Sequence, residues 1–348
     1  MRLKNIKKNK LKFFIVGLGS MGKRRIRNLH FHGERRIIGY DIRLDRMLEA
    51  GKKYGIEIID NLKKVSKESF DAMIISTPPD QHGDYIRMAL KLEKHFFVEH
   101  PTSADGYKEI ISAETKTGGV NLKTVKAPSC TLRFYQPIKM IKAILVQGKI
   151  GKILAFQYHT GQYLPDWHPY EDYREVYFSK KETGACREIF PFELIWLNWI
   201  FNSKAKEISG FVGKISDLEM TADDIILANL KYQNGILGSV IIDAISRKPY
   251  QTLRVLGSEG TLDWEGFDSA IKLYTAKSKK TKTIIVPKNH PEAGYINGEE
   301  MYNDEIKAFL RVIDKKIKYP HNFTDSRQLL ETLYALEKSS RTGGKVLL

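Results

Sequence analysis

Three glycines, Gly17, Gly19 and Gly22, stand in the spacing G-x-G-x-x-G within GLGSMG. Each has a mechanical job: the first makes a tight turn, the second lets backbone approach a pyrophosphate, and the third lets a helix pack closely on a strand. Amides of Gly17, Gly19, Ser20, Met21 and Gly22 then face the phosphates at a helix N-terminus, where unpaired N–H groups and the helix dipole favour anions. Downstream, Asp41 is placed to accept hydrogen bonds from the adenosine ribose hydroxyls of a dinucleotide. A carboxylate there repels a 2′-phosphate, so NAD is expected rather than NADP, with Arg43 nearby to soften the choice. A second concentration of chemistry is the stretch 161–174, GQYLPDWHPYEDYR. Trp167, Tyr170 and Tyr173 offer flat faces for a pyranose, Asp166 and His168 can bond hydroxyls, and Arg174 can grip a carboxylate or phosphate. Two plainer readings stand beside these: a glycine-rich turn without a ligand, and a folded loop whose Trp167 and tyrosines cover the core.

These residues need elements to position them. Phe13, Phe14, Ile15 and Val16 read as a strand buried on both faces, and a second apolar run, 37–40, ends at Asp41. A helix over 45–53 and a strand over 72–76 follow. That strand stops at Ser76, Thr77 and Pro78 in the run STPPDQH, which closes with His82. A helix over 80–94, a strand over 96–98 and the tripeptide Glu99-His100-Pro101 come next. Ligands of open α/β sheets bind at the carboxyl edge, which places Ser76, Thr77, Pro78, Glu99 and His100 there. A helix over 105–117 and a strand over 122–125 complete a doubly wound parallel sheet, so residues 1–127 are expected to form a dinucleotide-binding domain.

Beyond 128 the texture changes to an α+β domain, 128–348. A helix over 136–147 and an apolar one over 189–201 accompany strands over 153–160, 207–214, 225–232, 236–242, 252–256 and 283–286. Asn234-Gly235 is a strong hairpin signal and implies a large, mainly antiparallel sheet. Its uncovered face should be apolar and need a partner, which predicts a homodimer or homotetramer. Helices over 301–315 and 324–340 end the chain and are open to packing back on the first domain.

Composition excludes several classes. The net charge of +16 invites nucleic acid as a partner, but Lys and Arg are scattered, and no helix-turn-helix, zinc-finger or RRM signature is present. The densest run, Lys4 to Lys12, reads as a solvated arm. Neither nucleic acid nor membrane is expected as a partner, and a cytoplasmic location is. Cys130 and Cys186 make no disulfide framework; Cys186 beside Arg187 reads either as an activated thiol or as a bystander. No metal-ligand spacing occurs, so no metal is expected.

In order, GLGSMG, STPPDQH, EHP, TLRFYQPIKM with GKIGKI, VLGSEGTL and YNDEIKAFL resemble the Gfo/Idh/MocA oxidoreductases, which include sugar, nucleotide-sugar and inositol dehydrogenases. The resemblance implies a Rossmann domain followed by an open-sheet domain through which subunits associate. It implies that Thr77 and His82 lie in a turn beside the cofactor, and that the loop 161–174 faces the nicotinamide. Where the family usually reads E-K-P, with a lysine that assists proton transfer, this chain has His100. Where the family tends to place an Asp and, four residues on, a His, this chain has Glu188 and Phe192. Two readings follow. In one, NAD-dependent hydride transfer persists on a hydroxyl of an anionic or activated sugar held by Asp166, Trp167, His168, Tyr173, Arg174, Arg187 and Glu188, with His100 or its rival His168 as base and Glu188 as a third catalytic candidate. In the other, the chain is a dinucleotide- or sugar-binding module without dehydrogenase activity.

Overall fold

The structure, a computed structural model, describes residues 11–116, 124–169, 171–266, 270–287 and 298–348. Most of the lysine-rich arm, the start of the strand expected at 122–125, the end of the helix expected at 105–117 and Tyr170 lie outside them. The chain divides into two compact units. One comprises Met1–Glu99, Asp105–Ser129 and Tyr302–Phe323; the other comprises His100–Ala104, Cys130–Met301 and Thr324–Leu348.

The first unit holds strands β1 (Lys12–Val16), β2 (Arg36–Tyr40), β3 (Glu57–Ile58), β4 (Ala72–Ile75), β5 (His95–Val98) and β6 (Lys126–Pro128). Its helices are α1 (Ser20–Phe31), α2 (Leu44–Tyr54), α3 (His82–Lys91) and α4 (Tyr107–Lys116). All strands are parallel, in the order β3-β2-β1-β4-β5-β6. The order reverses between β1 and β4, which makes their carboxyl ends the switch point where such sheets bind ligands. Phe13, Phe14, Ile15, Val16, Met73, Ile74 and Ile75 are fully buried, as central strands covered on both faces require. β6 lies slightly later than the sequence pattern suggests and ends in Pro128, which an edge strand tolerates because one side makes no ladder bonds.

The second unit holds α5 (Gln136–Val146), β7 (Ile153–Gly161), α6 (Ala185–Phe201), β8 (Ala205–Gly213), β9 (Ile225–Tyr232), β10 (Leu237–Asp243), β11 (Tyr250–Gly257), β12 (Gly260–Glu265), β13 (Ala270–Thr275) and β14 (Lys280–Ile285). It is followed by α7 (Glu300–Ile313), which belongs to the first unit from Tyr302 onward, and by α8 (Phe323–Thr342) and β15 (Val346–Leu347). The nine strands run β14-β13-β12-β11-β7-β10-β9-β8-β15, antiparallel except for β10 beside β7. Asn234-Gly235 turns β9 into β10, with Gly235 at φ +91 and its amide on the Tyr232 carbonyl.

The inner face of this sheet is apolar, with Phe156 stacked on Phe201 at 4.5 Å and the Tyr158 ring edge-on to Trp196 at 5.2 Å. The outer face is not the uniform apolar surface that the pattern predicts. Register places Phe211, Leu227 and Ile241 side by side in one row, whereas the next row reads Asn229, Ser239, Gln157, Arg254, Asp263 and Lys272. Alternation sorts residues between faces but does not decide which rows meet water.

Candidate functional site

The glycine loop closes as its spacing demands. Gly17 has φ +85, and a Cβ on it would come within 2.4 Å of the Ser76 carbonyl oxygen. A Cβ on Gly22 would lie 1.8 Å from the Gly17 carbonyl oxygen, so α1 could not approach β1. Gly19 differs: its backbone is ordinary, and a Cβ there would meet, among the described residues, only the Arg46 guanidinium at 3.3 Å. Nothing among the described residues requires glycine at 19, which is what a backbone kept clear for a phosphate looks like. α1 also begins with no side-chain cap at Gly19 and no acidic residue in its first turn. Its amide end is therefore suited to an anion, and Arg46, which the sequence reading did not single out, brings a cation to the same loop.

Asp41, at the carboxyl end of β2, is buried and accepts the Leu18 amide at 2.7 Å on one oxygen and the Arg43 amide at 2.9 Å on the other. The two bonds orient the carboxylate and leave each oxygen a further lone pair. The Arg43 guanidinium pairs with Asp45 on the surface. At the end of β4, His82 is buried; its Nε2 lies 2.9 Å from the Thr77 carbonyl. Burial pushes its pKa down to about 4, against the pull of that carbonyl, so near neutrality the ring is uncharged and Nε2–H donates. Nδ1 of His82 and Oγ1 of Thr77 have no hydrogen-bond partner among the described residues. Buried polar atoms of this kind normally find one, and a bound dinucleotide suits that edge. His82 thus fixes the turn containing Pro78 through Thr77.

Glu99, expected to touch a cofactor, has its carboxylate engaged by the protein: Arg25 Nε and Nη2 donate to its two oxygens at 2.6 and 2.8 Å, and Ser76 Oγ donates at 3.3 Å. Arg25 lies in α1, near Glu99 only once β1 and β5 share a sheet, and local sequence carries no signal of it.

In the second unit, His100 is buried with its ring 5.7 Å from that of Phe192. The positions of the family's lysine and histidine are therefore neighbours in the structure, although Phe192 has no group that can exchange a proton. α6 supplies Phe192 and, on another face, Glu193, which is fully buried and accepts bonds from Tyr158 at 2.7 Å and Trp196 at 2.5 Å. Burial pushes the Glu193 carboxyl up to about 7 against the pull of those two donors. Glu188 accepts from Tyr177 at 3.0 Å.

Within the loop, Trp167 and His168 both meet Phe178 edge-on, at 5.3 and 5.2 Å, and Tyr177 lies against the same ring at 4.2 Å. Trp167 donates to the Gln162 carbonyl, and His168 Nδ1 is 3.5 Å from Glu171. Asp166 is exposed, and Tyr173 accepts the Glu219 amide at 3.1 Å.

The two arginines expected to grip an anion have partners within the chain. Arg174 is paired with Asp172 and Glu219. Arg187 donates to Glu337 at 2.8 Å, to the Thr102 carbonyl at 2.8 Å and to the Glu182 carbonyl at 2.7 Å. Both guanidiniums have charge partners or carbonyls inside the chain, so neither calls for an anionic substrate. Arg187 instead pins the segment that follows His100. Cys186 is buried, its thiol pushed up by burial first and by nearby Asp243, and it donates to the Ile242 carbonyl; it is a bystander.

Residues 11–123 match the profile of an oxidoreductase family with an NAD-binding Rossmann fold, and residues 138–263 match the GFO/IDH/MocA C-terminal domain. The chain is 24% identical over 344 residues to a myo-inositol 2-dehydrogenase of Thermotoga maritima, covering 93% of this chain and 95% of that one. An oxidoreductase of Agrobacterium radiobacter, solved with NAD+, L-tartaric acid and magnesium, superposes with a TM-score of 0.84 at 14% identity, covering 97% of this chain and 98% of that one. Levoglucosan dehydrogenase with NADH and levoglucosan gives 0.82 at 16%, covering 97% and 99%. With both halves matched in order and the parallel and antiparallel sheets in place, the chain belongs to the GFO/IDH/MocA family of oxidoreductases.

Proposed function

We propose that this protein is an NAD-dependent dehydrogenase that oxidises a hydroxyl of an uncharged sugar or cyclic polyol. The observation that carries the reading is the glycine loop, which leaves Gly19 clear, presents an uncapped helix and sits beside the oriented carboxylate of Asp41. The names of the relatives, an inositol dehydrogenase and a levoglucosan dehydrogenase, support an uncharged substrate, as do the satisfied Arg174 and Arg187. Bound nicotinamide would supply the hydride acceptor. The chain's own part is to take the hydroxyl proton, assigned to His100 with His168 as rival, while Asp166, Trp167, Tyr173 and Glu188 hold the ring. The test is to incubate the purified protein with NAD+ and a panel of neutral and acidic sugars and cyclitols and follow NADH. NAD binding without turnover on any of them would favour the binding-module reading.

Cofactor choice follows from Asp41. Like-charge repulsion in a buried site predicts that NADP binds at least about tenfold more weakly than NAD; comparable dissociation constants by calorimetry would refute it.

Association is assigned to the outer sheet face, where Phe211 and Leu227 are about half exposed in adjacent positions and would be covered in a homodimer or homotetramer. Light scattering at micromolar concentration should give a mass above that of one chain, and Phe211→Asp should lower it. A monomeric wild type would remove this assignment.

A further inference from the structure

We propose that Asp243 is a positioning residue for the substrate, holding in place the root of the loop that carries Asp166, Trp167 and His168; this rests on the reading of that loop above. β7 and β10 run parallel and end side by side, with Gly161 opposite Asp243. The chain leaves Gly161 into the loop and leaves Asp243 into a turn, and backbone bonds tie the two departures together. The Gln162 amide donates to the Asp243 carbonyl at 3.2 Å, and the Leu164 amide donates to the Ala244 carbonyl at 2.9 Å. Trp167 Nε1 in turn donates to the Gln162 carbonyl at 3.2 Å. From the turn, the Arg247 guanidinium lies over the Tyr163 ring at 3.8 Å. Where the loop starts is therefore set by where the turn stands.

The turn is set by the Asp243 carboxylate, which is buried. One oxygen accepts the amides of Ile245 at 3.1 Å and Ser246 at 2.7 Å; the other accepts Ser246 Oγ at 3.0 Å and His159 Nε2 at 2.8 Å. Burial pushes this carboxyl up, but the bonds from His159, Ser246 and the two amides outweigh it and leave its pKa below the ordinary value. Near neutrality it therefore only accepts. Asp224 shows what a plain turn cap needs: its buried carboxylate accepts the Ile215 amide, the Ser216 amide and Ser216 Oγ and, among the described residues, no imidazole. Asp243 makes the same three bonds with Ile245 and Ser246 and has two features besides. His159 reaches it from β7, the strand that feeds the loop. Gly161 leaves room for it, since a Cβ there would lie 2.2 Å from Asp243 Oδ2. Both features tie the carboxylate to β7, which placing the loop requires and capping a turn does not.

The experiment compares Asp243→Ala, Asp243→Asn and His159→Phe with wild type by hydrogen exchange and by steady-state kinetics, with NAD+ and with myo-inositol and levoglucosan as probes. In Asp243→Ala the Gln162 and Leu164 amides should exchange roughly tenfold faster and KM for the probe should rise roughly tenfold, the scale of one or two lost hydrogen bonds. Turnover should stay within about threefold, because bound substrate and transition state lose the same support. NAD+ affinity should not move, since the glycine loop and Asp41 belong to the first unit. Asparagine keeps one acceptor oxygen for the two amides, and its NH2 group meets Ser246 Oγ and His159 Nε2, both able to accept, so Asp243→Asn should hold KM within about twofold of wild type. His159→Phe keeps the ring against Tyr250 and removes one donor. Its KM should rise about threefold, and it decides the matter if Asp243→Ala does not fold. Unmoved exchange and KM overturn the proposal. So does a joint loss of turnover, substrate binding and NAD+ affinity that asparagine does not rescue, which marks a residue of general stability. A wild type that binds NAD+ but turns over neither probe counts against the sugar reading, and exchange then decides this proposal alone: faster exchange at Gln162 and Leu164 in Asp243→Ala upholds the anchor, and unchanged exchange removes it.

Discussion

His100→Ala is expected to lower turnover by roughly 10²–10⁴-fold, the usual worth of a positioned acid or base, while NAD affinity stays nearly unchanged. His100 is buried against Phe192 and follows directly on Glu99 in the chain. Of the two side chains in that ring contact only the imidazole can accept a proton, and the Arg187 bond to the Thr102 carbonyl holds the segment that carries it. The parallel variant His168→Ala separates the rivals. His168 is anchored by Glu171 and by the edge of Phe178, so if it only packs the loop its loss touches stability and leaves turnover within a few fold. Steady-state kinetics on both variants decides, and unaltered turnover in His100→Ala moves the role to His168.

The glycine loop should separate binding from folding. Gly22→Ala places a methyl group 1.8 Å from a backbone oxygen, a clash that no rotamer relieves. A cost above about 4 kcal/mol, and a fall in Tm of roughly 10 °C or more, is expected. Gly19→Ala meets only the mobile end of Arg46 at 3.3 Å, and its Tm should stay within a few degrees of wild type. Its NAD affinity should nonetheless drop on the order of 100-fold, because about 3 kcal/mol of overpacking would be imposed against the phosphates. Thermal melts by circular dichroism and calorimetric titration of NAD check both halves. If Gly19→Ala binds NAD as wild type does, the loop is not a phosphate cradle.

The dinucleotide half of the site was legible because its determinants are local. A strand buried on both faces reads as an apolar run, the tight turn after it reads as glycine spacing, and Asp41 ends the next apolar run, all within a few tens of residues. The resemblance in motif order extended that reading down the chain, and the family profiles bear it out over residues 11–123 and 138–263. The substrate half was less legible. Aromatic and charged residues crowded between 161 and 174 could bind a sugar or cover a core, and composition does not say which side chains are already spent. Arg174 and Arg187 show the difficulty, since the acids that satisfy them, Glu219 and Glu337, come from distant segments.

By itself the sequence determined most of the elements and the parallel-then-antiparallel division, because φ/ψ preference, apolar periodicity and glycine's missing Cβ act over a few residues; it did not show β3, β12, β13 and β15. Only the tertiary structure decided which charges neutralise one another. Arg25 meets Glu305 because α7 from Tyr302 onward belongs to the first unit, and the polar row across the outer sheet face exists because six strands fall into one register. Hydrogen bonds and ion pairs form only between groups a few ångströms apart in space, and separation along the chain says little about separation in space once the chain has folded.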